Sequence, residues 1–510
     1  MRVQTRFHGV IPAGAVCIFF SIASLAFGQS TSALQGTVTD ATGAPIPNAV
    51  VTVSDPTHGV DRTQATDSAG IYYVPALPVG TYSITAKASG MASTQAKGIV
   101  LDVGVTVKQD FKLAVASSSQ VVEVEATASL VDTSTASVTS TVNERAVQEI
   151  PLNGRHFVDL AQLTTGTVQG PANGNLSVPL RGQGTFSFNS AGGREDTVNF
   201  MVNGINMNDP NNQQVTFQPT INTVDEFIIN NQTFSAEYGR NSGSIVNVAT
   251  RPGVDTWHGE AYDFLRNADL DARNYTDPTF TSGGPSPKAE FIRNQFGGDG
   301  GGAIKKDKTF VYLSYEALRQ RQAYSLNATT LTTSQIAQAQ ATSDAAIKAL
   351  LPLIPAPNSG TNQYSYTASA PVNIQQGTVN GSQIFSTANR LNIYYAIQQD
   401  FRHEPPTTDG NSFPNEGDQR GGRRQLLSLN ESLVISPSLV NEARVGANRI
   451  NIVFNPDVLA NPQTYNINDG VTSPIGLPQM TISGGWTFGS SAISARGDLT
   501  EVAGDTLSWV

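Results

Sequence analysis

The sequence predicts a mostly β protein on three observations. Charged residues are 14% of the 510 residues, against roughly 25% in an average soluble chain. The 46 Gly and 27 Pro, with plentiful Ser, Thr and Asn, punctuate short strands better than long helices. Apolar and polar residues alternate in run after run, the period-2 pattern of a strand. Length alone suggests about three domains.

The elements follow in chain order. Arg2 and Arg6 open a basic start, residues 10–27 are apolar, and the small residues Ala26 and Gly28 precede Gln29. This pattern predicts a signal peptide over residues 1–28, cleaved after Gly28. The one cysteine, Cys17, lies inside it, so the expected mature chain offers no disulfide, Cys-bound metal or catalytic thiol. The formal charge of −10 has no basic stripe, which argues against nucleic acid. Beyond residue 28 no run of eighteen apolar residues occurs, so a membrane span would have to be built from strands of about ten residues.

Residues 29–116 read as a small β-sandwich. Leu34-Gln35-Gly36-Thr37-Val38-Thr39, Ala49-Val50-Val51-Thr52-Val53, Ile71-Tyr72-Tyr73-Val74 and Thr81-Tyr82-Ser83-Ile84-Thr85-Ala86 alternate between turns such as Asp40-Ala41-Thr42-Gly43 and Thr66-Asp67-Ser68-Ala69-Gly70, a spacing expected of a sandwich. The order of Gly-x-Val-x-Asp, Gly-x-Pro-Ile-Pro, Thr-Asp-x-x-Gly-x-Tyr and Leu-Pro-x-Gly-x-Tyr resembles the carboxypeptidase regulatory-like domain, a module of transthyretin-like or carbohydrate-binding-like fold. The resemblance implies a docking or spacer module without catalytic residues.

Residues 117–142 are rich in Ser, Thr, Ala and Val and read as a linker holding one β-prone stretch, Val121-Val122-Glu123-Val124-Glu125. Residues 143–252 then carry Pro151-Leu152-Asn153-Gly154-Arg155, Arg181-Gly182, Asn203-Gly204, Glu226, and Glu237-Tyr238-Gly239-Arg240 in order. These blocks resemble the α+β plug of TonB-dependent receptors, in the Oar-like group that carries a regulatory-like module in front. Glu237 and Arg240 are expected to pair with each other or to touch the barrel wall.

Residues 253–510 alternate over longer runs. The blocks His258-Gly259-Glu260, Phe264-Leu265-Arg266, Asn294-Gln295-Phe296-Gly297-Gly298, Lys306-Asp307-Lys308-Thr309-Phe310 and Ser314-Tyr315-Glu316 resemble the opening of the same group's antiparallel transmembrane β-barrel. The polar turn at Lys305-Lys306-Asp307-Lys308 reads as an inner-side turn. The polar stretch from Arg319 to about Ala388 reads as one outward-facing loop. About seven strands are expected here, against about 22 in a plugged transporter barrel, so the sequence reads as a C-terminally truncated fragment.

Catalytic and metal patterns are weak. His8, His58, His156, His258 and His403 are scattered with no metal or triad spacing, and neither enzyme activity nor a cofactor is expected. Gly298-Asp299-Gly300-Gly301-Gly302 lacks the following helix of a phosphate loop and reads as a strand bend. Asn206, Asn208 and Asp209 hold the donor types for calcium, with an Asn-rich plug loop as the simpler reading. Arg496-Gly497-Asp498 is a three-residue match with little content.

The resemblance implies energised import. A ligand such as a siderophore, cobalamin, glycan or peptide would bind the outer face, in a Gram-negative outer membrane reached by Sec-type export. A TonB-type periplasmic partner would engage residues 121–125 by β-strand addition, with the regulatory-like module in the periplasm. The alternatives are an Oar-like outer-membrane protein for adhesion or protein passage, and a carbohydrate-binding surface protein.

Overall fold

The computed structural model describes residues 31–115, 122–125, 138–169, 186–211, 213–232, 234, 238–239, 241–272, 290–436, 438–470, 476–483, 485–489 and 493–509. The predicted leader lies outside them.

The first sheets come from β1 (Ser32–Asp40), β2 (Val50–Asp55), β3 (Val60–Ala65), β4 (Ile71–Leu77), β5 (Gly80–Lys87), β6 (Thr94–Leu101), β7 (Thr106–Lys108), β8 (Phe111–Leu113) and β9 (Val122–Glu125). One sheet runs β4-β1-β7, with β8 also on β1, and the other runs β3-β2-β5-β6-β9. Alternation does the work: Leu34, Val38, Val51, Val53, Ile84, Ala86, Ala96 and Leu101 all face one apolar core. The two core tyrosines keep their hydroxyls satisfied, Tyr72 donating to the Gln109 carbonyl at 2.5 Å and Tyr82 to that of Pro78 at 2.7 Å. Gly36 is fixed by close approach, since a Cβ there would lie 1.8 Å from the Gln109 carbonyl oxygen.

Two segments read as linker belong to sheets. β9 pairs in parallel with β6, Thr94 opposite Val122 and Lys97 opposite Glu125, so it is an edge strand of the sandwich. Residues 138–142 form β10 (Val138–Val142), antiparallel to β15 (Val224–Gln232). β9 falls on the β-prone stretch expected inside the linker, whereas β10, Val-Thr-Ser-Thr-Val, is concealed by its Ser- and Thr-rich composition.

The plug sheet continues through β13 (Asn199–Val202), β14 (Ile205–Asn206) and β16 (Ile245–Thr250) in the order β10-β15-β16-β13-β14, while β11 (Thr167–Val168) and β12 (Asn189–Ser190) pair separately. Helix α1 (Glu144–Glu149) starts on Asn143, whose side chain accepts from the Ala146 amide at 3.0 Å, a standard N-cap. Phe157, Leu160, Phe200, Phe227, Ile229 and Val246 form the core, and Tyr394, Ala396, Leu426 and Val502 of the following sheet close it.

That following sheet has nine strands: β17 (His258–Asn267), β18 (Phe291–Lys305), β19 (Thr309–Thr329), β20 (Gln363–Ser369), β21 (Val372–Ser386), β22 (Asn389–Glu404), β23 (Asp418–Ser436), β24 (Leu439–Pro456) and β27 (Ser494–Trp509). All pairings are antiparallel, and β20 attaches to the end of β19 beyond β21. Connections at one end are short, around Asp307 with φ +60°, at residues 387–388, and between β23 and β24. At the other end they are long, and there β25 (Met480–Thr481), β26 (Thr487–Phe488), α2 (Thr333–Thr342) and α3 (Ala345–Leu350) lie.

The long polar stretch from Arg319 to Ala388 is therefore not one loop. It contains the end of β19, two helices, β20 and all of β21. In β21 the buried face is Val372, Ile374, Gln376, Thr378, Asn380 and Ser382, mostly polar because it meets the plug and not a dry core. The glycine run at 298–302 is likewise not a bend: it pairs along both edges, with β17 and β19.

Candidate functional site

The plug meets the wall through polar side chains, and the best-built contact is at Arg155. Gly154 at φ +101° and Arg155 at φ +61° turn the chain sharply and project the guanidinium from the plug. It stacks 4.6 Å from the centroids of both Tyr262 and Phe264 on β17, and its Nε lies 3.4 Å from Glu316 Oε2 on β19. Both partners are nearly buried, with side chains 16% and 13% exposed. At that distance the contact is one of charge rather than a hydrogen bond; Glu316 takes its hydrogen bonds from the Tyr262 hydroxyl and Gln295 Nε2, each at 2.9 Å.

The neighbouring loops complete the contact. Arg155 also donates to Asn222 Oδ1. The Asn222 amide group donates to Glu260 and, at 2.6 Å, to Asp299, which accepts from the Tyr312 hydroxyl at 2.5 Å. Arg293 donates to Asn153 Oδ1 at 2.9 Å and Gln295 to the Gly154 carbonyl at 3.1 Å. A small cleft opens beside Arg155, lined among others by His156, Phe217, Gln218, Glu316 and Gln376. Burial and the Arg293 charge push the His156 imidazole down to about 3, so this ring is neutral near pH 7.

Further around the wall the seam stays polar. Thr220 and Ser314 meet at 3.1 Å, Asn380 donates to the Arg251 carbonyl at 2.8 Å, and Asn430 donates to the Asn203 carbonyl at 3.1 Å. Thr216 donates to Asn448 Oδ1 at 3.1 Å. Arg496 pairs with the fully buried Asp209, so this arginine of the Arg-Gly-Asp triplet faces the plug. Such contacts hold position by many modest hydrogen bonds, beside the one apolar contact at Tyr394, Ala396, Leu426 and Val502.

The other predicted residues separate. Leu152 packs against the plug core, and Pro151 is exposed. Asn203 at φ +48° and Gly204 at φ +76° make the turn between β13 and β14, where a Cβ on Gly204 would strike the Arg444 guanidinium at 2.7 Å. Glu226 points away from the wall to the sandwich, accepting from the Val103 amide. Tyr238 and Gly239 are described, Tyr238 standing edge-on to Phe234 at 6.4 Å, whereas Val121, Arg181, Gly182, Glu237 and Arg240 lie outside the described residues. Asn208 spends its side chain on the Val198 and Gln213 carbonyls and the Phe200 amide, and Asp209 is taken by Arg496. Among the described residues no group of three His, Cys, Asp or Glu side chains is placed to hold a metal.

Sequence reading missed the wall partners Tyr262, Asn380, Asn430, Arg444 and Asn448 as site residues. Their signal is a polar side chain on the inner-facing beat of a long strand, readable only once the register is known.

Residues 249–510, just over half the chain, match the model of the outer membrane beta barrel domain. The chain belongs to the outer membrane beta barrel family. Residues 33–114 match the carboxypeptidase regulatory-like domain. A curated relative is the TonB-dependent transporter Oar of Myxococcus xanthus, 26% identical over 311 residues, which are 57% of this chain and 27% of that protein. The chain thus aligns with little more than a quarter of that relative's length. Among solved structures, the outer membrane transporter YddB from Escherichia coli aligns at TM-score 0.48 and 9% identity, over 73% of this chain and 45% of that one. The ferric enterobactin receptor PfeA of Pseudomonas aeruginosa, as a mutant, aligns at TM-score 0.42 and 13% identity, over 72% and 45%.

Membership in the outer membrane beta barrel family explains the two wall faces. Val379, Ile393, Val445, Leu499 and Leu507 stand outward and exposed, suited to hydrocarbon, while the inward positions carry the polar seam just described. No described helix is long and apolar enough to cross a membrane; strands provide the crossing here.

Proposed function

We propose that the protein is a TonB-dependent outer-membrane receptor that binds an extracellular ligand and imports it with energy from a TonB-type periplasmic protein. The observation that carries this reading is the seating of the plug: a folded body held to the inner wall by a stacked, ion-paired Arg155 and a ring of hydrogen bonds. A body held largely by polar contacts, with one small apolar contact at Tyr394, Ala396, Leu426 and Val502, can move under force without unfolding the wall, since most of those contacts are exchanged for water at modest net cost. The similarity to the Myxococcus xanthus transporter supports the same reading.

In this proposal residues 1–28 direct Sec-type export, residues 29–116 form a periplasmic module, residues 143–252 are the plug, and residues 121–125 are the stretch the energy-coupling protein takes up by strand addition. The edge position of β9 supports that choice, because an edge strand offers unpaired backbone to a partner. The ligand belongs among the classes carried by such receptors: a ferric siderophore, cobalamin, a glycan or a peptide.

The test is uptake of labelled ferric siderophore, cyanocobalamin, oligosaccharide and peptide by cells making the protein, with residues 121–125 intact or replaced by Gly and Ser. Accumulation of one probe that needs both an energised membrane and the intact segment is expected, with surface binding retained in the replaced variant. Accumulation indifferent to both would refute the proposal.

A further inference from the structure

The sandwich does not hang free of the plug. The loop leaving β6 carries Asp102 and Val103, and Val103 packs with Ile228 and Ala249 of the plug sheet, flanked by Val79 and Val105. Beside this apolar contact the Glu226 carboxyl, 5% exposed, accepts from the Val103 amide and lies within hydrogen-bonding reach of the Asp102 carboxyl. Two further contacts tie the module to the short-turn end of the wall: Thr31 donates to Glu442 at 2.8 Å and Arg62 to Ser432 at 3.3 Å.

Two carboxyls at one joint cannot both ionise cheaply, whereas one shared proton gives a hydrogen bond between them. The charged groups that face Glu226 are Asp102 from the sandwich loop and Asp225 from its own strand. Arg251 is near Asp225 but is engaged by Glu144 at 2.6 Å. We propose that Asp102, Val103 and Glu226 form a proton-holding latch that seats the sandwich against the plug, and that loss of the shared proton releases it.

Burial, reinforced by Asp102, moves the Glu226 carboxyl up to about 8 from its ordinary 4.5. The docked state therefore binds one proton more than the undocked state between those values, and docking weakens as pH rises through that window, by at most about tenfold per pH unit. β6 runs straight into the latch and carries β9 on its far edge, so release would free the edge strand together with its sheet. The latch stands independently of the transport reading.

Hydrogen exchange of the Val103 amide in the whole chain, held in detergent micelles from pH 5 to pH 9, reads the latch directly. Protection at Val103, corrected for intrinsic exchange, is expected to fall by at least tenfold up to pH 8, while the Ile84 and Val246 amides stay protected. Glu226→Gln keeps an acceptor without a charge and should give flat protection; Asp102→Asn should shrink the pH response. A flat native profile would overturn the latch, as would an unchanged slope in Glu226→Gln. If that variant fails to fold, by loss of Ile84 or Val246 protection, the native profile and Asp102→Asn decide between the same two results.

Discussion

The sandwich and the wall are both antiparallel-rich sheets with one buried face, yet they bury opposite chemistry. Inside the sandwich the buried beat is Leu34, Val38, Val51, Val53, Ile84 and Ala86. On β21 and β24 the buried beat includes Gln376, Thr378, Asn380, Glu442, Arg444 and Asn448. Burial is equal in kind, but the sandwich beat faces other apolar side chains, and the wall beat faces mostly polar groups of the plug and, at Glu442, of the sandwich. The exposed beat of the wall carries Val379, Val445, Leu499 and Leu507 among polar residues, most of them where the strands would meet hydrocarbon. Which face of a strand is hydrophobic thus reports what lies beyond it, and the wall is a sheet turned inside out.

The comparison is broken most strongly at the seam. Arg155→Ala leaves Glu316 buried without its cation, a loss expected to cost roughly 3–5 kcal/mol, and protease cleavage of the plug at unchanged heat-modifiable mobility of the wall would read it. Pairing it with Glu316→Gln should recover part of that loss, because the uncompensated charge is then gone. Leu34→Ala acts on the other side: it opens a cavity in the dry core at about 3 kcal/mol, and the amides of β2 and β5 should lose exchange protection while the Arg155 contact survives. Equal damage to both regions from either change would mean they do not differ as described.

Protonation gives a smaller and graded effect. With His156 held down to about 3 against an ordinary 6.5, its neutral ring favours the folded plug at pH 7, and that advantage drains as pH falls from 6.5 towards 3. Plug protection against protease should therefore decline through that window, and His156→Phe should flatten the decline. The smallest effect belongs to Arg145 and Glu149, an exposed pair four residues apart on α1; Arg145→Ala should change plug stability by less than about 0.5 kcal/mol, within the scatter of the same protease assay.

Much of the architecture was legible because turns and alternation are local. The sandwich strands, the strands beginning at Val224 and Ile245, and the tight turn at Asp307 all stand where period and punctuation put them. β21 was hidden for a physical reason: its buried face is polar and its outward face includes Asn373, Gln375 and Gln383, so no apolar beat marks it. Helix α2 had a local signal, Thr332 and Gln335, which form a capping box, but it sat inside a stretch read as loop by composition. For the site, Arg155, Phe264 and Glu316 each lie in a family-like sequence block, yet their meeting depends on register across β17, β18 and β19, which no single segment encodes. The sandwich–plug joint at Glu226 was likewise invisible, since Asp102 is 124 positions away in the chain.

The central claim is that the strands after residue 253 present one beat to hydrocarbon and the other to the plug. The predicted mature chain has no cysteine, so single-cysteine variants carry one fluorophore each. Labels at Val379, Ile393 and Val445 are expected to be quenched by a lipid-soluble quencher in outer-membrane vesicles, and labels at Thr378, Ala396 and Asn448 to be shielded from it. Quenching that fails to alternate between neighbouring positions, with all six labels shielded alike, would contradict the account.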